Sequence, residues 1–238
     1  MRLHRFFVDA PLHEGEMTVD SPALCHQMAN VLRLRVGERI ILLDGERHEA
    51  EGELREISAQ RAYLTVQSVR AVSAEPTTFV TLYCAVLKRE NFEWVVQKTT
   101  EVGVGAIVPL LTDRTVKTGL KMERLQKIAR EAAEQSGRGI IPEIHFPISF
   151  HDAVKACPPA ERRLLFHCSP EAIPSARAIP TKHSGSVVCF VGPEGGWSNA
   201  EVRLAAEHDF SITSLGALTL RAETAAVVAV YAVLLPPS

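Results

Sequence analysis

Apolar and polar residues follow two different patterns along the chain, and the change comes after residue 71. In residues 1–71, short apolar–polar alternations predict β-strands, and one helix is predicted to begin at Ser21-Pro22 and to end near Val31. Asp44-Gly45 predicts a tight turn. The predicted strands are Arg2–Val8, Arg39–Leu43, Glu49–Ile57 and Arg61–Val69. Short strands with a single helix predict a small β-barrel.

From Phe79 onward, strand patterns alternate with helix patterns, and residues 71–77 before them predict a linker. The predicted strands are Phe79–Val86, Ala106–Leu111, Leu164–Phe166 and Val187–Val191. The predicted helices are Asn91–Val102, Met122–Ser136 and Ala225–Leu235. This alternation predicts a parallel sheet with helices on both faces. The sequence therefore predicts two domains, residues 1–71 and residues 72–238, the second of them α/β.

A glycine-rich segment, Gly192–Trp197 (Gly-Pro-Glu-Gly-Gly-Trp), follows the apolar strand Val187–Val191 directly. Glycines there permit positive φ and a close approach of a ligand to the backbone. Ser198 and Glu201 then form a capping-box pattern that predicts a helix start. This arrangement holds cofactors in α/β proteins, although an ordinary tight loop is the alternative. The segment lacks the spacing of dinucleotide and phosphate loops, and its glutamate favours an adenosine or a cationic cofactor.

A second glycine turn ends a short predicted strand at Gly216. A leucine-rich loop follows, and Arg221 and Glu223 then open a long apolar helix. Charged groups at the start of such a helix are costly unless they pair with each other or face a cleft. The pattern therefore predicts either a structural Arg–Glu pair or a functional site.

Composition describes a globular protein, with 46% hydrophobic and 23% charged residues. No apolar run reaches the ~20 residues that cross a bilayer. The five cysteines form no Cys-x-x-Cys pair, and several lie in apolar strands, which favours buried thiols in a reducing cytosol. The histidines are scattered. We expect a cytoplasmic protein that binds no metal and no membrane.

The net charge of −2 argues against an extensive nucleic-acid footprint, so any RNA contact must come from local basic clusters. One cluster is formed by Arg2, His4 and Arg5, and another by Arg33 and Arg35. A third lies on and before a predicted helix, where a solvated face is the favoured interpretation. Its residues are Arg114, Lys117, Lys121, Arg124, Lys127 and Arg130.

Taken together, the two glycine turns resemble those of SPOUT-type methyltransferases. Gly-Pro-Glu-Gly-Gly-Trp-Ser with Leu-Gly-x-x-x-Leu-Arg-Ala-Glu-Thr-Ala is similar, more narrowly, to the 16S ribosomal RNA (uracil-N3)-methyltransferases. Further similar segments occur in order along nearly the whole chain. They are Arg5–Val8, His26 with Val31–Leu34 and Gly37, Gln97–Val104, and Glu131–Arg138 with Pro142.

The resemblance implies a PUA-like β-barrel that helps to grip RNA, followed by an α/β knot in which the C-terminal segment forms a trefoil knot. It also implies a homodimer, with 16S rRNA of the small ribosomal subunit as the partner and S-adenosylmethionine as the cofactor. The implied cofactor-binding residues are Phe166, His167, Gly192, Glu194, Gly196, Leu215, Gly216 and Leu220.

The resemblance implies catalytic roles for Arg221, which would stabilise an anionic uracil, and for Glu223 as a possible base. The expected RNA-binding residues are Arg2, Arg5, Arg33, Arg35, Gln135 and Arg138. Two alternatives stay open, a ribose 2′-O-methyltransferase and a non-catalytic RNA-binding assembly factor. A nucleotide-binding dehydrogenase is disfavoured because the chain has no Gly-x-Gly-x-x-Gly loop.

Overall fold

The computed structural model describes residues 3–116, 119–169, 172–174, 178–179 and 185–234. Its chain divides into two compact units. The first consists of residues 1–75 together with 133–141, and the second of residues 76–132 and 142–238. The domain bounds 1–71 and 72–238 stay a prediction, and the return of residues 133–141 to the first unit has no signal in the sequence.

The first unit contains a five-stranded mixed sheet in the order β1-β3-β4-β5-β2. Its elements are β1 (His4–Phe7), β2 (Gly15–Asp20), α1 (Pro22–His26), a π-helical turn (Gln27–Val31), β3 (Arg39–Leu43), β4 (His48–Ile57) and β5 (Arg61–Ala71). Strand β1 pairs with β3 in parallel, and the other pairings are antiparallel. Fully buried Phe6, Met28 and Leu54 lie in its core.

The predicted strands of the first unit are confirmed within one or two residues, apart from the start at Arg2, which lies outside the described residues. Strand β2 has no counterpart among the predicted strands, because only Met17 and Val19 in it are apolar and buried. The predicted cap is confirmed, since Ser21 Oγ accepts a hydrogen bond from the backbone N–H of Leu24. The helix after it becomes a π-helical turn at Gln27.

The second unit contains an eight-stranded sheet in the order β11-β13-β10-β12-β6-β7-β8, with β9 paired to β7. Its strands are β6 (Phe79–Ala85), β7 (Ala106–Leu111), β8 (Glu143–Ile144), β9 (Ile148–Ser149), β10 (Arg162–Phe166), β11 (Ile173–Pro174), β12 (Ser186–Val191) and β13 (Ser211–Ser214). All of its pairings are parallel. The predicted parallel α/β architecture is confirmed.

Helices alternate with these strands along the chain. They are α2 (Arg89–Val102), α3 (Met122–Ser136), α4 (Phe150–Lys155), α5 (Asn199–Glu207) and α6 (Ala222–Leu234). The last residues of α3, from 133 on, belong to the first unit. Helix α2 ends at Gly103, which has φ +111° and supplies the left-handed residue of the cap. Helix α6 begins three residues earlier than predicted, and Leu235 lies outside the described residues. The trefoil knot stays a prediction.

Within the described ranges, no helix combines the length and the apolar character that crossing a membrane requires. All five cysteines are free thiols, and Cys168 is exposed while the others are buried.

A buried ion pair in the first unit corrects one sequence expectation. Arg138 was predicted to meet the RNA phosphate backbone, but its side chain is 6% exposed and its Nη2 lies 3.0 Å from Oε2 of Glu75. Glu75 also accepts hydrogen bonds from the backbone N–H groups of Gly139 (2.7 Å) and Ile140 (3.2 Å). Glu75, at the end of residues 1–75, thereby binds residues 138–140 within the same unit. Arg138 has a structural role.

Replacing Glu75 with Ala should lower the free energy of unfolding by about 3 kcal/mol, because buried donors lose a charged acceptor. Denaturant titration of both proteins measures the change. The control is Glu53→Ala, which removes the exposed pair of Glu53 with Arg55 and should cost less than about 1 kcal/mol. Equal losses in the two variants would contradict the assigned role of Glu75.

Candidate active site

A cleft of about 740 Å³ opens in the second unit at the carboxyl ends of its central strands. The segments that line it follow β10, β12, β13 and β6. Phe166 in β10 pairs in register with Val191 in β12 and with Thr213 in β13, and Val191 pairs with Cys84 in β6. Because these parallel strands end at the same level, the loops that follow them converge on one site.

All of the residues that the sequence predicted for cofactor binding and catalysis line this cleft. They are Phe166, His167, Gly192, Glu194, Gly196, Leu215, Gly216, Leu220, Arg221 and Glu223. The structure therefore brings together two glycine turns that are separated by a helix and a strand in the sequence. The role of each residue stays a prediction.

The first glycine turn is closed by its own backbone. The N–H of Gly196 donates to the carbonyl oxygen of Pro193 at 2.8 Å, and Gly196 has φ +68°. This backbone conformation favours glycine. Glu194 lies at the exposed tip of the turn.

Trp197 ends the turn and connects it to the core. Its indole Nε1 donates to the carbonyl oxygen of Phe166 at 2.9 Å, and the side chain is 4% exposed. A Cβ on Gly192 would lie 3.0 Å from this ring, so a larger residue there would require the ring to shift. The sequence pattern predicted that Gly192 lets a ligand approach the backbone, and it predicted no role for Trp197.

The helix after the turn begins as the sequence predicted. Ser198 caps α5, and Ser198 and Glu201 form a reciprocal capping box. Glu201 is buried, and its carboxylate accepts the backbone N–H of Ser198 at 2.7 Å.

Arg221 and Glu223 lie at the start of α6, where Arg221 is exposed and Glu223 is half-buried. Within the described part of the chain, neither side chain forms an ion pair. The alternative of a structural Arg–Glu pair is therefore not what the structure shows, and both charges face the cleft.

Burial and the carboxylates of Glu194 and Glu223 together raise the pKa of one group, the thiol of Cys84. Desolvation raises the pKa of the Cys84 thiol to about 12, and the negative charges of Glu194 and Glu223 add to this shift. Cys84 is therefore a neutral thiol across the physiological range.

Some residues of the cleft were not predicted. Lys88 follows β6 and precedes α2, and Asn91 lies in the first turn of that helix. The signal that could have identified both residues is their place directly after β6. Because β6 is a parallel neighbour of β12, its carboxyl end must reach the same edge of the sheet. Other unassigned lining residues are Cys168, Ser214, Leu218 and Thr219.

The expected RNA-binding residues of the first unit fall into different environments. Arg33 and Arg35 are exposed, and Arg33 has φ +56°. Gln135 is also exposed. The Arg5 side chain is 20% exposed and its Nη2 lies 3.9 Å from Oε2 of Glu49. Arg2 lies outside the described residues.

The described residues include no group of three or more His, Cys, Asp or Glu side chains arranged to hold a metal ion. The absence of a metal cofactor stays a prediction.

Two sequence families match the chain. A family described as "RNA methyltransferase domain" matches residues 74–234, and one described as "RNA methyltransferase PUA domain" matches residues 28–67. The first match covers more than half of the chain and contains the whole of the cleft. The second falls within the five-stranded unit and confirms its PUA-like character.

Similar proteins carry the name ribosomal RNA small subunit methyltransferase E. The protein from Synechocystis is 35% identical over 229 residues, which cover 93% of this chain and 74% of that protein. The protein from Bacillus subtilis is 31% identical, with 87% of this chain and 86% of that protein covered.

Solved structures show the same fold. The ribosomal RNA small subunit methyltransferase E of Neisseria gonorrhoeae, bound to S-adenosyl methionine, has a TM-score of 0.88 and 30% identity over 97% of this chain and 96% of that one. A Legionella pneumophila methyltransferase structure in complex with the same cofactor has a TM-score of 0.87 and 29% identity, covering 98% of this chain and 97% of that one. The chain therefore belongs to the RNA methyltransferase family that includes the ribosomal RNA small subunit methyltransferases E.

Proposed function

We propose that the protein transfers the methyl group of S-adenosylmethionine to N3 of a uridine in 16S rRNA of the small ribosomal subunit. The observation that carries this proposal is the convergence of both glycine turns, Arg221 and Glu223 in one cleft of a chain that belongs to this family. The relatives named above are ribosomal RNA small subunit methyltransferases, and two similar structures contain the proposed cofactor.

The cleft fits an adenosine-containing cofactor. Its volume lies within the range of about 300–1,000 Å³ that small-molecule sites occupy. Leu215 and Leu220 supply apolar contacts, and the backbone around Gly192 and Gly216 supplies hydrogen-bonding groups that suit adenine. The carboxylate of Glu194 suits a ribose hydroxyl or a sulfonium. When bound, S-adenosylmethionine supplies an electrophilic methyl group on its positively charged sulfur.

The chain's own residues must handle a proton and a developing charge. Uracil N3 carries a proton and is a poor nucleophile until that proton leaves. Arg221 is exposed at the cleft, and we assign its guanidinium the role of stabilising negative charge on O2 or O4 of the uracil. Glu223 lines the same cleft, and we assign it the role of proton acceptor.

The acceptor base must be unpaired or flipped out, because N3 lies on its Watson–Crick edge. We propose that Arg33, Arg35 and Gln135 contact the surrounding RNA. The segment that carries the two arginines also exposes Val31 and Val36, at 64% and 62%. Exposed guanidinium groups meet phosphates, and exposed aliphatic groups pack on unstacked bases. Arg2 and Arg5 remain proposed RNA-binding residues. Arg138 is no longer proposed as one.

We further propose the domain organisation that the resemblance implies, with residues 1–71 as the RNA-gripping domain and residues 72–238 as the knotted methyltransferase domain. The cytoplasm is the proposed location, since ribosomal RNA and reduced thiols occur there.

We also propose that a second copy of the chain covers the outer face of α6. This helix is apolar along nearly its whole length, yet Tyr231 is 52% exposed. Trp94 on α2, the helix that packs against α6, is 40% exposed. Aromatic side chains on an apolar helix face are typical of homodimer interfaces, where two-fold symmetry pairs one patch with itself.

The proposed reaction is tested by tritiated methyl transfer from S-adenosylmethionine to unmodified small ribosomal subunits and to naked 16S rRNA, followed by nucleoside analysis. Label recovered as 3-methyluridine is the expected result, and the two substrates show whether assembly is required. Label in a 2′-O-methylated nucleoside would show that the ribose hydroxyl, and not uracil N3, is the methyl acceptor. No label together with no cofactor binding would leave an RNA-binding assembly factor.

Replacing Arg221 with Ala should reduce methyl transfer by about 100-fold or more, because a preorganised cation at the developing oxyanion is lost. The affinity for S-adenosylmethionine, measured by calorimetry, should change little. Arg203→Ala is the matched control, since Arg203 is an exposed arginine on α5 outside the cleft lining. Equal loss of cofactor affinity and of transfer would assign Arg221 a structural role instead.

Replacing Tyr231 with Asp should shift the protein from dimer to monomer in sedimentation velocity, because a desolvated charge would lie in the proposed interface. Phe146→Asp serves as control, since Phe146 is 75% exposed between β8 and β9 and lies on neither α2 nor α6. A monomeric parent protein at micromolar concentration, or a dimeric Tyr231→Asp variant, would contradict the proposed interface.

A further inference from the structure

The loop after β7 grips the first glycine turn through Arg114. Its Nη1 donates to the carbonyl oxygen of Gly195 at 2.5 Å. The methylene groups of the same side chain lie against this residue, since a Cβ on Gly195 would be 3.3 Å from Cδ of Arg114. One side chain therefore contacts the turn through both a charged donor and an apolar surface.

The residue before Arg114 holds the other end of the same turn. Asp113 Oδ2 accepts a hydrogen bond from Ser198 Oγ at 2.6 Å, and the backbone N–H of Asp113 donates to Oε1 of Glu201 at 3.1 Å. The buried Glu201 thus connects this loop to the N-terminus of α5. Two consecutive residues after β7 fix both Gly195 and Ser198.

Hydrogen bonds among Thr112, Arg114 and Thr115 stabilise the loop that carries Arg114. The backbone N–H of Thr112 donates to Oγ1 of Thr115 at 2.9 Å, and the N–H of Thr115 donates to the carbonyl oxygen of Thr112 at 3.1 Å. The N–H of Arg114 donates to Oγ1 of Thr112 at 3.3 Å. These local bonds make the loop a firm support for Arg114.

The held turn lines the cleft, so its order affects whatever binds there. Gly195 and Gly196 are the residues with the greatest backbone freedom, and Glu194 lies beside them at the tip. A ligand that binds an already ordered turn avoids the entropy cost of ordering it. Arg114 supplies this order from outside, because it does not line the cleft.

We infer that Arg114 is a positioning residue that holds the Gly192–Trp197 turn in its cofactor-binding conformation. The inference rests on the proposed function, because the turn must serve a cofactor for its order to matter. It separates Arg114 from the other basic residues of its sequence cluster. Arg124, for example, donates from Nε to the carboxylate of Glu93 on α2 at 2.6 Å.

The test compares Arg114→Met with Arg114→Lys. Methionine keeps the apolar contact with Gly195 and removes the donor, and lysine restores a charged donor. Arg124→Met is the control, since Arg124 is also an exposed, hydrogen-bonded arginine, and it lies outside the cleft. Three quantities are measured: amide hydrogen exchange of peptides covering residues 192–198 in ligand-free protein, the dissociation constant of S-adenosylmethionine, and the thermal midpoint.

Arg114→Met should exchange faster over residues 192–198 and bind the cofactor about 10-fold more weakly, which corresponds to one lost charge-assisted hydrogen bond. Its thermal midpoint should stay close to that of the parent protein, and lysine should restore part of the affinity. Unchanged hydrogen exchange over residues 192–198 in Arg114→Met would overturn the inference, whatever the dissociation constant of S-adenosylmethionine. Faster exchange with an unchanged dissociation constant would show that the contact is structural only. A parent protein that binds no cofactor would overturn both the proposed function and the positioning role of Arg114. Cofactor binding that is weakened in Arg124→Met but not in Arg114→Met would overturn only the positioning role.

Discussion

The candidate site depends on the common level at which four parallel strands end. Phe166, Val191, Thr213 and Cys84 lie side by side across β10, β12, β13 and β6. The chain leaves each strand in the same direction and at the same height, so segments that begin as far apart as residues 86 and 215 reach one cleft. A shift of one residue in this register would turn the side chains of a strand to the opposite face of the sheet and move its loop away from the others.

Below the cleft, a cluster of aromatic rings stabilises this register. Phe190 in β12 stacks on Tyr83 with ring centroids 4.5 Å apart and meets Phe210 edge-on at 4.8 Å. Phe150 lies 5.0 Å from the ring of Trp197. Trp197 then connects this core to the cleft, since its indole donates to the carbonyl of Phe166. The glycine turn is therefore supported from the core by Trp197 and from the side by Arg114.

The sequence predicted what local chemistry determines. The glycine turns, the Ser198–Glu201 capping box and most strands required only local patterns, and the structure places them as expected. Contacts between distant residues carry no such signal. Glu75 and Arg138 are 63 positions apart, and an arginine after a helix resembles a surface cation until its partner is known. Lys88 belongs to the cleft only because β6 neighbours β12.

The charges at the cleft suit the proposed chemistry, since the exposed guanidinium of Arg221 and the carboxylates of Glu194 and Glu223 line a site that glycine backbone and leucines also line. The most direct test of this account is a crystal structure of the chain grown with S-adenosylhomocysteine. The ligand is expected to lie between the Gly192–Trp197 turn and the loop from Leu215 to Leu220. Ligand density at another location, or a cleft without ligand at saturating concentration, would contradict it.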